Sequence, residues 1–142
     1  INGNCLEFTC VRDSSEDFWV NHLENNFDIR SYDAILSLPE YDSHFEHRKV
    51  NNISKALLRG VDVGLITYRT PSTLEQWIPN YYTELQDEVM ETKIDILREG
   101  FNSQKDKLYF QRQRIKDFHI NYQCSKVGVS YVEQFKIERL FG

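Results

Sequence analysis

Apolar residues in this chain fall in short runs separated by polar turn residues, a pattern that favours small strands joined by loops. The first example is CVRDSSEDFWVNHL, in which two apolar runs flank six polar residues. LEFTCV alternates apolar and polar residues with the period of a half-buried strand, RDSSED supplies a turn, and FWVNHL is a second strand. We therefore predict a hairpin around Ser14 and Ser15 that pairs in antiparallel fashion with the closing strands of the chain.

The rest of the chain predicts more strands than helices. SYDAILSL and PEYDSHFEHR are typical of helix, RIKDF of a helical turn, and EQFKIERLFG of either strand or helix. GVDVGLITYR, QWIPNYYTEL, VMETKIDIL, KLYFQRQ and YQCSKVGVSYV are predicted as strands. The side chains predicted to be mostly buried on these strands are Leu6, Phe8, Phe18, Val20, Val63, Leu65, Ile94, Ile96 and Val129. The expected fold is a single β-rich α+β domain.

Composition restricts the partners that the chain can have. It carries 17 basic and 22 acidic residues and a formal net charge of −5, which argues against direct nucleic-acid binding because such binding needs a basic face. No apolar stretch reaches membrane-spanning length, and INGNCLEF lacks the features of a signal peptide. Three cysteines, at positions 5, 10 and 124, show no metal-ligand spacing and predict reduced thiols in the cytoplasm. A glycosylation sequon at residues 52–54 is the one feature that favours secretion instead.

Several motifs follow one another in the order found in a known family of interaction domains. CVRDSSEDFWVNHL resembles the family's opening hairpin, and LLRGVDVGLITYR resembles its first barrel strand. EQWIPNYY stands where the family has Trp-Tyr-Arg-Ala, TKIDILREG where it has an apolar residue followed by Asp, Tyr, Gly and Asn, and RIKDFHINYQCSKVGV precedes the closing strand. The chain thus resembles an extended Tudor domain. The resemblance implies a small Tudor-like β-barrel over residues 57–110, with nuclease-like (OB-type) flanking strands over 1–50 and 111–142 and one or two helices.

The resemblance also identifies a candidate binding surface. Family members that bind dimethylarginine hold the cation in a cage of aromatic faces. Here Trp77 and Asp95 match the family pattern, but Ile78 and Ile96 replace its tyrosines and Arg98 would repel a cation. The candidate residues of this degenerate cage and its surroundings are Tyr68, Trp77, Ile78, Tyr81, Tyr82, Asp95, Ile96 and Arg98. The alternative is that Trp77 and the tyrosines merely pack the barrel.

We therefore expect a non-catalytic protein–protein interaction module without cofactor or metal, which does not bind methylarginine. The resemblance implies a scaffold in germ-granule and small-RNA (piRNA-type) pathways, located in the cytoplasm, including perinuclear granules. Its partner is expected to be a peptide or a domain surface, used constitutively.

Other residues leave alternative functions open. Glu91 and Lys93 match the Glu-x-Lys half of a metal-dependent nuclease strand, to which Asp62 would add a second carboxylate. His44 and His47 have a spacing that can hold zinc, although no third Cys or His accompanies them. FQRQR, at residues 110–114, places two arginines beside aromatic residues, as in contacts to RNA or acidic peptides. A solvated surface is the alternative explanation for each of these motifs.

Overall fold

The computed structural model describes residues 14–140, which contain five α-helices and four β-strands. The helices are α1 (Glu16–Asn26), α2 (Phe45–Leu57), α3 (Asp87–Gly100), α4 (Arg112–Phe118) and α5 (Tyr122–Val127). The strands are β1 (Ala34–Ser37), β2 (Gly64–Tyr68), β3 (Tyr81–Leu85) and β4 (Tyr131–Arg139). The predicted α+β class is confirmed, although helix is more abundant than the sequence pattern indicates. No helix in the described part of the chain has the length and apolar character needed to span a membrane.

The four strands form one open mixed sheet in the order β1-β2-β4-β3. Strand β1 is parallel to β2, and the last strand, β4, lies between β2 and β3 and is antiparallel to both. Because β1 and β3 lie at opposite edges, they do not pair with each other, and no closed barrel forms among residues 14–140. The prediction of a small barrel, which came from the resemblance, is wrong because the chain inserts its last strand between β2 and β3 and leaves β1 and β3 as open edges of the described sheet.

The predicted opening hairpin is also wrong, because its second strand is helix α1. The hydroxyl of Ser15 caps this helix by accepting a hydrogen bond from the backbone N–H of Phe18 at 3.1 Å. Trp19, Val20 and Leu23 pack against α2, as expected for one face of a helix. Phe18 lies exposed on the other side, so the burial predicted for it is wrong. The first strand of the hairpin, with Leu6 and Phe8, lies outside the described residues.

Helix α3 replaces the predicted strand VMETKIDIL. Met90 and Ile94 are fully buried and Leu97 packs against their cluster, so the apolar positions follow the i, i+4, i+7 spacing of a helix. Ile96 would face inward in a strand, but in the helix it is 64% exposed. The burial predicted for Ile94 is confirmed, and the burial predicted for Ile96 is wrong.

Three further segments differ from prediction. SYDAILSL contains strand β1 instead of helix, and its four strand residues pair with β2 from Ala34 to Ser37. KLYFQRQ forms a 3₁₀ turn (Leu108–Phe110) that leads into α4. YQCSKVGVSYV begins with helix α5, which Asn121 caps and Gly128 ends at a positive φ of 74° before β4 starts. The tail that could be strand or helix belongs to β4.

Helices cover both faces of the sheet. Helices α1 and α2 pack on the face that carries Ile35, and nearby Val63 and Leu65 are buried as predicted. Helices α3 and α4 pack on the opposite face, where Leu85 and Tyr131 contact their buried residues. These two helices cover only the β3–β4 end of that face. The rest of the face is part of the candidate site described below. Val20 and Val129 are half-buried.

Candidate functional site

The structure does not bring the predicted cage residues together. Trp77 is 4% exposed, and its indole N–H donates to the hydroxyl of Thr67 on β2 at 2.9 Å, so Trp77 is a core residue. Ile78 follows it in a loop and is 71% exposed. Neighbouring residues of a strand point to opposite faces of a sheet. Tyr82 therefore shares the face of Thr67, whereas Tyr81 lies on the other face.

The remaining predicted cage positions lie on helix α3. Asp95 is exposed and accepts a hydrogen bond from Arg112 at 2.6 Å, and Ile96 is exposed beside it. Arg98 donates to the backbone oxygen of Phe110 at 2.9 Å. The eight predicted residues thus lie on both faces of the sheet, in a loop and on a helix, and they do not form one aromatic cage.

The residues of the alternative nuclease site are likewise dispersed. Asp62 lies in the loop before β2, on the lining of a surface cleft with Arg30 and Arg139. Glu91 lies on helix α3 and forms an ion pair with Lys116, which helps to hold the pKa of Glu91 below its usual value. The other residue, Lys93, forms an ion pair with Glu133 on β4 at 2.5 Å. Glu91 and Lys93 therefore have separate partners, and Asp62 lies in a different part of the fold.

Six apolar and aromatic side chains form two cross-strand rows on one face of the sheet. Residues paired across neighbouring strands point to the same face. The pairings place Leu36, Ile66 and Ile137 in one row, and Tyr68, Phe135 and Tyr81 in the other. Leu36 is 60% exposed and Tyr81 50%, and the other four side chains are half-buried. We call these six residues the sheet surface, and it spans all four strands.

The sequence predictions identified Tyr68 and Tyr81 of the sheet surface but missed the other four members. Leu36 was missed because its segment was predicted to be helical. Ile66, Phe135 and Ile137 belong to predicted strand or tail segments, but they come together only because β4 lies between β2 and β3. The alternation of Phe135 and Ile137 with polar residues in YVEQFKIER is the signal that would have identified β4 as a half-buried strand.

A cavity of about 720 Å³ adjoins the sheet surface at Tyr68, which lines both. Helices α3 and α4, the 3₁₀ turn before α4 and the strand ends of β2 and β4 enclose this α3–α4 cleft. Its aromatic lining residues are Tyr68, Tyr109, Phe110 and Phe118. Leu97, Leu108, Ile115 and Val132 add aliphatic surface. The size and the mostly apolar lining match those of small-molecule binding sites.

Two titratable groups in the cleft are held in their neutral forms by burial. Burial lowers the pKa of His119, and its Nδ1 donates a hydrogen bond to the backbone oxygen of Ile115 at 2.7 Å. The neutral ring therefore presents Nε2 as an acceptor. Burial, together with the charge of Glu133, raises the pKa of Tyr68, so its hydroxyl stays protonated and can donate. The cleft thus offers one neutral acceptor and one neutral donor.

Cationic side chains complete the polar lining of the cleft. The guanidinium of Arg69 lies 4.8 Å from the centroid of the Phe118 ring, a distance at which cation and ring attract each other. Lys93 is neutralised by Glu133, whereas no hydrogen bond or ion pair of the Arg69 or Arg114 side chain is found within residues 14–140. Two arginines therefore remain available to a ligand.

A second polar cluster surrounds the fully buried Asp42, between the ends of β1 and β2 and the start of α2. Its carboxylate accepts hydrogen bonds from the hydroxyl of Thr70 at 2.7 Å and from Nδ1 of His47 at 3.0 Å. The hydroxyl of Ser72 also approaches Nδ1 of His47, at 3.2 Å. A Ser-His-Asp triad needs the serine and the aspartate on different ring nitrogens, so this cluster is not a triad. It ties two loops together.

The described residues contain no group of three or more His, Cys, Asp or Glu side chains arranged to hold a metal ion. The pair His44 and His47, which has zinc-like spacing, stacks ring on ring at a centroid distance of 4.7 Å. Neither a protein-family model nor a curated protein matches the chain. Functional assignment therefore rests on the sheet surface and the cleft.

Proposed function

We propose that this domain is a non-catalytic protein–protein interaction module whose partner packs on the sheet surface. The observation that carries the proposal is the continuity of six apolar or aromatic side chains across four strands, with Leu36 and Tyr81 exposed at its ends. Contiguous exposed apolar patches are uncommon on monomeric proteins and commonly mark interaction sites. A partner of the usual size, covering about 800 Å² of each protein, would bury the whole surface.

The chemistry of the sheet surface defines the partner. None of its six side chains carries a charge at neutral pH, so the matching contact must also be apolar and uncharged. Two tyrosines and a phenylalanine supply the aromatic area typical of interface hot spots, and Tyr81 contacts Phe135 at a centroid distance of 6.2 Å. We therefore expect binding to depend little on salt, because apolar burial is not screened.

The dispersed positions of the predicted cage residues support a contact that does not depend on arginine methylation. Trp77 is buried, and Ile78 and Ile96 are exposed aliphatic residues without the ring quadrupole that attracts a cation. Calorimetric titration with symmetric and asymmetric dimethylarginine peptides is expected to show no affinity tighter than about 1 mM. Micromolar binding that is lost in Tyr81→Ala would show instead that a cage exists on the sheet surface.

The central prediction is that a charge at either end of the sheet surface strongly weakens partner binding. Leu36→Glu and Tyr81→Glu place a carboxylate where an apolar partner would bury it, and we expect a loss of at least about tenfold in affinity. Because both side chains are exposed, the melting temperature should change little. Ile78→Glu is the matched control, since it places the same charge at an exposed isoleucine outside the surface.

Two measurements decide the outcome. Sedimentation of the wild type over a range of concentrations detects a second copy as the partner, and quantitative mass spectrometry of proteins captured by each immobilised variant detects other chains. The proposal requires a partner, either a second copy or another chain, that binds to the wild type and to Ile78→Glu. The same partner must fail to bind to Leu36→Glu and to Tyr81→Glu. Partners that all variants retain equally, or no partner in either measurement, would contradict it.

The expected pathway and location, among germ-granule and small-RNA pathway proteins in the cytoplasm, are proposals supported only by the Tudor resemblance. The open sheet lacks the barrel on which that resemblance depends. The sheet surface supports a scaffold function without requiring either the barrel or that location.

A further inference from the structure

We infer that the α3–α4 cleft, which adjoins the sheet surface at Tyr68, is a second site, and that it binds a small ligand that joins an aromatic ring to an anionic group. Nucleoside monophosphates and aromatic carboxylates share this chemistry. The inference rests on three features of the cleft: its aromatic walls, its two arginines without an acidic partner, and the fixed position of one of them.

The aromatic walls favour a flat ring as the body of the ligand. Phe118, Tyr109 and Phe110 all line the cavity, and the rings of Tyr109 and Phe110 lie edge to face at a centroid distance of 5.2 Å. Tyr109 is exposed although it is a large ring, and a stacked ligand ring would cover it. Stacking on aromatic side chains accepts any flat ring, whereas the volume of about 720 Å³ limits the ligand to a small molecule.

The charge of the lining favours an anion. The cleft contains three cationic side chains and two carboxylates, an excess of positive charge on a chain whose net charge is −5. Lys93 is neutralised by Glu133. The other carboxylate, Asp117, accepts from the side-chain amide of Gln113 at 2.8 Å. Asp117 keeps its negative charge, so the lining carries one excess positive charge, and Arg69 and Arg114 are the guanidiniums that no carboxylate of the described residues pairs with. A single phosphate or carboxylate needs no extended basic face.

Arg69 is the better placed of the two arginines. Its backbone N–H donates to the backbone oxygen of Gln134 at 3.1 Å, and the Phe118 ring fixes its guanidinium at 4.8 Å. A pre-positioned guanidinium offers a fork of donors that matches two anionic oxygens with little loss of conformational entropy. The Nε2 atom of His119 can accept a hydrogen bond from an N–H or O–H group elsewhere on the ligand. The cleft therefore provides a contact for each part of the ligand.

The test is calorimetric titration of the full chain with four probes: adenosine monophosphate, 2-naphthoate, adenosine and inorganic phosphate. We expect at least one of the two ring-bearing anions to bind about tenfold or more tightly than both adenosine and phosphate, which each lack one feature. Binding of adenosine monophosphate alone assigns the site to nucleotides, and binding of naphthoate alone assigns it to aromatic carboxylates. No binding of either anion at about 10 mM would overturn the inference.

Charge-removing variants locate the binding. Arg69→Gln and Arg114→Gln should each lower the affinity for the ring-bearing anion, and we expect a loss of about tenfold or more for Arg69→Gln. Arg59→Gln is the control, because Arg59 is also an exposed arginine but lies outside the cleft. Equal affinity in Arg69→Gln and Arg59→Gln would place the ligand elsewhere and overturn the inference. Leu36→Glu should bind these ligands like wild type, so this site and the partner surface can fail independently.

Discussion

Replacing Trp77 with alanine is expected to lower the free energy of unfolding by about 3–5 kcal/mol. The indole is almost completely buried, so its removal leaves a large cavity and exposes the surrounding side chains to water. It also removes the donor to the fully buried hydroxyl of Thr67, which is left with its long hydrogen bond to Glu138 at 3.4 Å. Such a loss is a large fraction of the 5–15 kcal/mol that stabilises an ordinary domain. Urea unfolding monitored by far-ultraviolet circular dichroism measures it.

Two further variants separate the causes of this loss. Trp77→Phe keeps most of the apolar volume but removes the indole N–H, and we expect a smaller loss of about 1–2 kcal/mol. Ile78→Ala, at the exposed neighbour, should change stability by less than about 0.5 kcal/mol. If Trp77→Ala were as stable as wild type, Trp77 would not be a core residue, and its assignment to a ligand-binding surface would have to be considered again.

Local sequence patterns predicted two kinds of element correctly. They are those that pack against segments nearby in the sequence, and those whose apolar residues fit only one type of secondary structure. GVDVGLITYR gave β2, with Val63 and Leu65 buried as expected, and RIKDF gave helix α4. Each segment carries one dominant signal. In GVDVGLITYR it is a run with β-branched residues after a glycine, and in RIKDF it is the pattern of a short helical turn. The α+β class follows from the mixture of such segments.

The errors occurred where two periods fit the same residues. Met90 and Ile94 lie on one face both in a strand, with period two, and in a helix, four residues apart. Only Leu97 distinguishes the two, because it continues the helical face, whereas Ile96 would continue the strand. Glu, Met, Lys and Leu are good helix formers, and their abundance in this segment should have favoured helix. The N-cap at Ser15 is a second signal that was misinterpreted as a turn.

The functional surfaces depend on pairing that no local pattern contains. The sheet surface forms because β4 pairs with two strands that are distant from it in sequence. The cleft is a partial exception, because Phe110 and Arg114 belong to FQRQR, a motif that predicted contacts to RNA or acidic peptides. Of the two arginines in that motif, Arg114 lines the cavity, whereas Arg112 forms ion pairs with Glu91 and Asp95. The motif could not indicate Arg69, which reaches the same cavity from the end of β2.

We expect Asp42 to make the free energy of unfolding sensitive to acidic pH. Burial alone would raise the pKa of its carboxyl, but four hydrogen-bond donors outweigh burial and hold the pKa below the usual value. The donors are the side chains of Ser72, Thr70 and His47 and the backbone amide of His44. A carboxyl whose pKa is lower in the folded state stabilises the fold fully above its unfolded pKa of about 3.9. That stabilisation is lost as the pH falls through the lower, folded value.

Asp42→Asn should therefore lower the free energy of unfolding by about 2–4 kcal/mol at pH 7, because an amide N–H₂ would face donors in a buried site. The difference from wild type should shrink as the pH falls below about 4, where the wild-type carboxylate also becomes protonated. Urea unfolding at a series of pH values from neutral to about 3 measures both effects. Asp95→Asn is the matched control, since Asp95 is an exposed carboxylate paired with Arg112, and its loss should cost less than about 1 kcal/mol. A difference between wild type and Asp42→Asn that stays constant across this range would show that the carboxylate's charge does not stabilise the two loops.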